Sequence, residues 1–182
     1  MASGLVGCLA LAATFPRSAW IGLVTSLAAM IALRRPRWLV GLTVVALAVF
    51  WLAPPAFRGR LGSAVDPRHP SNVERLYMWE AGLRMFADHP VTGVGLQDLH
   101  PLYEVYRSKA AREPAGHLHG VLVQIAASMG AVGLAAFLLL YAGLFRAAGG
   151  GLGTTSDGLP TGVRLGVVGG LAGFLVAGLF GW

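Results

Sequence analysis

Apolar and polar positions are sharply segregated along this chain. Residues 2–14, 18–33, 37–53, 119–145 and 163–182 form apolar runs, and most of the charged side chains lie outside them. A helix that is apolar on every side is buried, either in the core of a large protein or in lipid. A membrane span needs about 20 apolar residues. The run at 2–14 falls short of that length and the run at 119–145 exceeds it. Ser18 is placed to cap the second run after Pro16 and Arg17, and Pro54-Pro55 stops the third. The stretch AAGGGLGTTSDGLPTG between the last two runs is rich in turn-forming residues and reads as a flexible link.

The pattern predicts an all-α fold, a polytopic transmembrane helix bundle with a large external loop. A first part, 1–53, holds helices at about 2–14, 18–33 and 37–53; residues 54–116 form the external segment. A last part, 117–182, holds helices at about 119–146 and 163–182 joined by the Gly-rich link, which falls on the cytoplasmic side. The rival reading, buried helices of a soluble protein, fits poorly with four or five such runs in so short a chain. Frequent Gly and Ala within the runs suit close helix packing in lipid.

The polar segment has its own periodicity. Residues 72–87 (NVERLYMWEAGLRMFA) repeat at helical spacing. Val73, Leu76, Tyr77, Leu83 and Phe86 can share a broad apolar stripe, with Glu74, Arg75 and Arg84 off it. Ser71 or Asn72 can cap this helix, and Glu74 follows Ser71 at capping-box spacing. Asp88-His89-Pro90 ends it, and Thr92-Gly93-Val94-Gly95 turns the chain.

Composition sharpens the membrane reading. Hydrophobic residues make up 55% of the 182 and charged residues 12%, against about 25% charged in soluble domains. This excludes disorder. One cysteine, Cys8, excludes a disulfide scaffold and a cysteine-based zinc site. The net charge of +6 invites a nucleic-acid reading until it is partitioned. Segment 54–116 carries eight basic and seven acidic residues, so it is nearly neutral. The rest of the excess is Arg17, Arg34, Arg35, Arg37, Arg146 and Arg164, less Asp157, and most of these arginines sit at the edges of apolar runs. That is a membrane-flank signature, with no basic stripe to track phosphates and no nucleic-acid partner. By the positive-inside rule the tight Arg34–Arg37 connection is cytoplasmic, as are Arg146 and Arg164. Segment 54–116 is then external, and Arg17 sits at the external end of its helix. The chain opens without a basic n-region, unlike a signal peptide. The short first run and the abrupt end at Trp182 suggest a fragment of a larger multi-span protein.

Three features tempt a chemical reading. Gly93-Val94-Gly95 resembles part of a phosphate loop, but position 98 is Asp and no βαβ unit surrounds it, so a turn is expected. In His117-Leu118-His119 the two imidazoles would diverge on a helix, and no third ligand clusters with them, so no metal site is expected. Arg17 is the single charge of residues 1–33, and it either anchors its helix to headgroups or meets an anion. No G-x-S-x-G or other nucleophile pattern occurs.

Three stretches recur together in a known family. They are Thr14-Phe15-Pro16-Arg17-Ser18-Ala19-Trp20-Ile21-Gly22; Arg75-Leu76-Tyr77-Met78-Trp79 with Met85-Phe86-Ala87-Asp88-His89-Pro90-Val91-Thr92-Gly93-Val94-Gly95-Leu96; and His117-Leu118-His119-Gly120-Val121-Leu122-Val123-Gln124 with Met129-Gly130-Ala131-Val132-Gly133-Leu134. In order and spacing the chain resembles the C-terminal half of the O-antigen ligase and polymerase superfamily.

The resemblance implies a bacterial inner-membrane glycosyltransferase acting on the periplasmic face, without metal or cofactor. It implies a polyprenyl-diphosphate-linked glycan as donor and lipid A-core, another glycan or a protein as acceptor, with membrane lipid around it. Carried over by position, the family's functional residues fall on Arg17, Arg75 and His119, with His117 as a further substrate-binding candidate. Arginine would grip the diphosphate as charge develops on it, and histidine would deprotonate or orient the acceptor hydroxyl. Two departures stand out. Pro16 stands where the family often has Ser, and Gly120 stands where it usually has Asn, which removes one candidate for a substrate-orienting hydrogen bond. Polymerisation of the glycan, a non-catalytic membrane module and, more weakly, a transporter are the rival readings.

Overall fold

The computed structural model describes residues 17–55, 58–59, 62–63, 66–150 and 160–179. The apolar run 2–14 and most of the Gly-rich link lie outside the described residues. Among the described residues there are six helices and no strand: α1 Arg17–Arg34, α2 Trp38–Leu52, α3 Pro70–Asp88, α4 His100–Tyr106, α5 Val121–Gly149 and α6 Thr161–Leu179. Two of them, α5 and α6, are long and apolar enough to cross a membrane, while α1 and α2 are shorter apolar helices. The chain divides into two compact units, one of residues 1–64 and 148–177, the other of residues 65–147 and 178–182.

The first unit holds α1, α2 and α6. A tight turn joins α1 to α2, closed by Trp38 N–H to the Arg35 carbonyl (2.8 Å) and Leu39 N–H to that of Pro36 (3.0 Å). None of the α2 residues is buried, and Trp38, Val40, Val44 and Trp51 stand well exposed. A surface so apolar is stable against lipid, where the backbone must satisfy itself within the helix. The hydroxyls do the same: Thr25 donates to the Ile21 carbonyl (2.8 Å) and Thr43 to that of Leu39 (3.0 Å). Gly22, Ser26 and Met30 of α1 face Gly169, Gly173 and Ala177 of α6, at four-residue intervals on both helices. Small residues at this spacing let two backbones approach closely, the usual packing device in lipid.

The second unit has a side-chain core. Met78, Ala81 and Met85 of α3 meet Leu99, Tyr103, Ala115, Leu118 and Ala127. The buried face of α3 is Glu74, Met78, Ala81, Gly82 and Met85. This corrects the stripe expected from sequence, because Leu76 is 51% and Leu83 57% exposed while Glu74 is inside. The two leucines mark the outer face, and the inner face combines Met78 and Met85 with Ala81 and Gly82, whose small size lets α5 come near. A Cβ on Gly82 would overlap the side chains of Leu118 and Val123. The start of α3 also differs: Pro70 opens the helix after an extended His69, so neither Ser71 nor Asn72 is the cap. Asn72 is used differently, donating to the Asp66 carbonyl (2.8 Å). The short helix α4 was not anticipated. Its Tyr103 and the preceding Leu99 are fully buried, and Tyr106 donates to the Asp88 carboxylate at the end of α3 (2.9 Å).

The run expected as one span at 119–146 is interrupted. Gly130 has φ 64 and ψ −162 inside α5, a conformation open essentially to glycine alone. The turn after α3 fills the break. Val94 and Gly95 donate N–H to the carbonyls of Ala127 (2.8 Å) and Ser128 (2.9 Å). On the other side Ala131 and Val132 donate to the carbonyls of Pro90 (2.8 Å) and Val91 (3.2 Å). Residues 131–149 continue as a helix about 28 Å long, close to the roughly 30 Å of a bilayer core. Val132, Leu138, Leu139 and Leu140 are exposed along it. Gly93 is confined as well: its φ is 66, and a Cβ there would overlap the backbone of Ala127–Met129. Gly130→Ala is therefore expected to destabilise the folded protein by about 1–3 kcal/mol from backbone strain alone, with the overlap against Val91 adding to it. Thermal unfolding in detergent checks this against Gly143→Ala, where the added methyl meets nothing.

Candidate functional site

The second turn of α3 and the chain leading into α5 lie side by side. Arg75 and Trp79, one turn apart on α3, are both half-buried. Glu74, beside Arg75, points inward at 8% exposure. Its carboxylate accepts the backbone N–H of Arg112 on both oxygens (3.2 Å each) and that of Glu113 (3.4 Å). A buried carboxylate needs such donors, and here they come from the connection that carries His117 and His119. The nearby Tyr103 phenol titrates above its ordinary value because of burial, reinforced by the charge of Glu74.

That connection ends in a held turn. Leu118 is fully buried in the core, and its N–H donates to the Gln124 side-chain oxygen (2.9 Å). His119 has φ 47, a left-handed conformation that costs a non-glycine residue roughly 1–3 kcal/mol and recurs at functional sites. The Trp79 indole N–H donates to the His119 carbonyl (3.3 Å). The helix then begins, with Gln124 N–H bonded to the Gly120 carbonyl (2.8 Å).

This geometry corrects two expectations. His119 does not lie in the helix but two residues ahead of it. His117 and His119 do not diverge: their rings lie 4.1 Å apart at 51°. The i,i+2 argument assumed a helix, and the left-handed turn at His119 removes that premise. Among the described residues no group of three His, Cys, Asp or Glu side chains is placed to hold a metal ion.

The electrostatics favour an uncharged His119. Its pKa is lowered first by burial, then by the neighbouring His117 and then by Arg75. Its Nδ1 is buried and meets no partner among the described residues. A proton there would be a buried donor with nothing to bond, which agrees with the direction of the shift. The structure thus brings Arg75, His117 and His119 together. Arg17 opens α1 in the other unit, and its side chain lies outside the described residues. Glu74, Trp79 and Gln124 are the supporting residues that the sequence reading passed over. The available signals were a position one turn after Arg75 for Trp79 and one five after His119 for Gln124. Val94 and Gly95 spend their N–H groups on α5, so the glycine turn is a structural clasp and not a phosphate cradle.

Removing the Glu74 carboxylate should loosen the connection. Glu74→Ala is expected to speed tryptic cleavage at Lys109 and Arg112 at least about tenfold, since charged hydrogen bonds are worth about 1.5–3 kcal/mol. Limited proteolysis in detergent reads this directly.

The comparisons with known proteins agree with this picture at the level of family. No curated protein matches the chain. The family model described as O-Antigen ligase matches residues 2–138, from ahead of Arg17, through Arg75 and His119, to beyond the break at Gly130. That is more than half of the sequence, and the chain belongs to the O-antigen ligase family.

Proposed function

We propose that this protein transfers a glycan from a polyprenyl diphosphate carrier to an acceptor hydroxyl on the periplasmic face of the bacterial inner membrane. The observation that carries this reading is the convergence of a half-buried arginine, Arg75, with a histidine presented on a left-handed turn, whose pKa is lowered by burial, by His117 and by Arg75. The family supplies the lipid-linked glycan as substrate class, and two candidate spans fit a membrane setting.

The step balances with these groups alone. The acceptor oxygen attacks C1 of the donor sugar and its proton passes to His119. The bond from C1 to the diphosphate oxygen breaks, and its electron pair leaves with the diphosphate. Arg75 and Arg17 neutralise the charge that grows on the leaving oxygens, where the planar guanidinium fork suits phosphate. Attack from the side opposite the leaving group inverts the anomeric centre. His117, whose ring lies beside that of His119, would hold the acceptor. Polymerisation uses the same chemistry with another lipid-linked glycan as acceptor, so assays with the two acceptors separate ligase from polymerase.

His119→Ala is expected to lower transfer by about 10²–10⁴-fold, the typical worth of a general base. Arg75→Ala and Arg17→Ala are expected to abolish it, while all three proteins still accumulate in the membrane. Glycan transfer by membranes holding the full-length protein checks this, and normal glycan ladders from these variants would refute the assignment. The pH profile is a separate test. A base acts when unprotonated, so activity is retained above the pKa of His119 and lost as pH falls through it. Because that pKa is depressed, the acid limb should lie below the ordinary histidine value of about 6.5. His117→Ala removes one depressing influence and should move the limb upward.

A further inference from the structure

The imidazole of His119 has no side-chain partner at Nδ1 to orient it among the described residues. In many sites a carboxylate or carbonyl on that nitrogen fixes the ring. Here orientation comes from packing, with the His117 ring 4.1 Å away, and from the backbone, which is in a strained left-handed turn. That turn is held before it by Leu118, buried and bonded to Gln124, and after it by the first helical bond of α5. Between these, the His119 carbonyl is held by the Trp79 indole.

A side chain at residue 120 would crowd Trp79 where it reaches that carbonyl. A Cβ on Gly120 would lie 2.8 Å from the indole nitrogen, 3.3 Å from Cε2 and 3.6 Å from Cδ1. The pair is reciprocal: the ring at 79 occupies the space that glycine at 120 leaves open. Trp79 also lies one turn from Arg75 on α3, so one hydrogen bond ties the backbone of the histidine to the helix that carries the arginine.

We propose that Trp79 is a positioning residue for His119, and that Gly120 is required in this chain because it makes room for the indole. This rests on the role proposed above for His119. Without the bond the turn relaxes, and the base is misplaced relative to Arg75 while the donor still binds.

Three variants of the full-length protein, assayed in membranes, test this: Trp79→Phe, which keeps a ring and deletes the donor; Gly120→Ala, which pushes the indole away; and the two combined. Each single change should lower kcat about tenfold with the KM for donor within about twofold, as for the loss of one hydrogen bond. The acid limb of the pH profile should also rise as His119 becomes less confined. The smaller ring at 79 leaves room for the methyl at 120, so the double variant should be no slower than Trp79→Phe. If the two reductions multiply, or if Trp79→Phe leaves kcat and the acid limb unchanged, the positioning role is wrong. A purely structural lesion would reduce the amount of folded protein, read by its level in the membrane and its thermal stability, and leave the limb in place. That outcome also overturns the proposal. His119→Ala serves as the control for the underlying reading: if it stays active, the assignment of the base fails, whatever Trp79 does.

Discussion

The arrangement of the second unit depends on how the interruption of α5 at Gly130 is satisfied. Breaking a helix frees carbonyls on one side and N–H groups on the other, and leaving them buried and unpaired costs more than a single break can bear. Here four hydrogen bonds from Pro90–Gly95 replace the lost ones. The repair couples two distant stretches of sequence, because the turn that supplies it is the direct continuation of α3. The far end of α3 is thereby registered against the break, and its near end against the turn before α5 through Trp79 and Gly82. Arg75 and His119 lie at that second contact. Their proximity follows from two helices running in the same direction and fastened at both ends.

The electrostatics of His119 follow from the same packing. Burial comes first in lowering its pKa, ahead of the influence of His117 and Arg75. No carboxylate bond holds it as an imidazolium among the described residues. A neutral imidazole next to a permanent cation is an arrangement in which proton acceptance and anion stabilisation do not cancel, since the arginine keeps its charge when the histidine takes a proton. The departure at Gly120 changes meaning in this light. Read from sequence it is the loss of an asparagine; in the structure the space is filled by the Trp79 ring, and a side chain at 120 would displace it.

The helices were legible in the sequence because lipid-facing helices need no pattern beyond being apolar. The bounds of α1, α2 and α6 fall within a few residues of the runs at 18–33, 37–53 and 163–182. What misled was amphipathicity in the polar segment. Leu76 and Leu83 are larger and more apolar than Ala81 and Gly82, so a stripe drawn by hydrophobicity falls on the outer face. The inner face is chosen by closeness to α5, a long-range fact that no local window contains. Glu74 was legible only as a charge, since its partners are backbone N–H groups 38 and 39 residues away. The break at Gly130 was hidden for a related reason: one glycine in an apolar run is common, and only the clasp from residues 90–95 compels it into a non-helical conformation. Of the site, the residue identities came from a resemblance, while the left-handed turn at His119 came from the structure alone.

The break also bears on where the proposed chemistry would take place. A continuous α5 of 29 residues would be about 43 Å long, well beyond the roughly 30 Å of a bilayer core. Divided at Gly130, the part from 131 to 149 suffices for a crossing, and the part from 121 to 129 packs with α3 and α4 in a protein core that includes Ala127. His119 then stands 12 residues ahead of the start of the first of these parts, at residue 131. Under the proposed function, a diphosphate and an acceptor sugar at that position would keep their hydration. The partial burial that lowers the pKa of His119 is supplied by the protein. A site placed inside the hydrocarbon would have to bring a dianionic leaving group into it, against a desolvation cost that Arg75 alone would not repay. The glycine that interrupts α5 therefore does more than relieve a helix of excess length: it lets one stretch of apolar sequence serve first as a wall of the core beside His119 and then as a helix long enough to cross a bilayer, the arrangement that the proposed function requires.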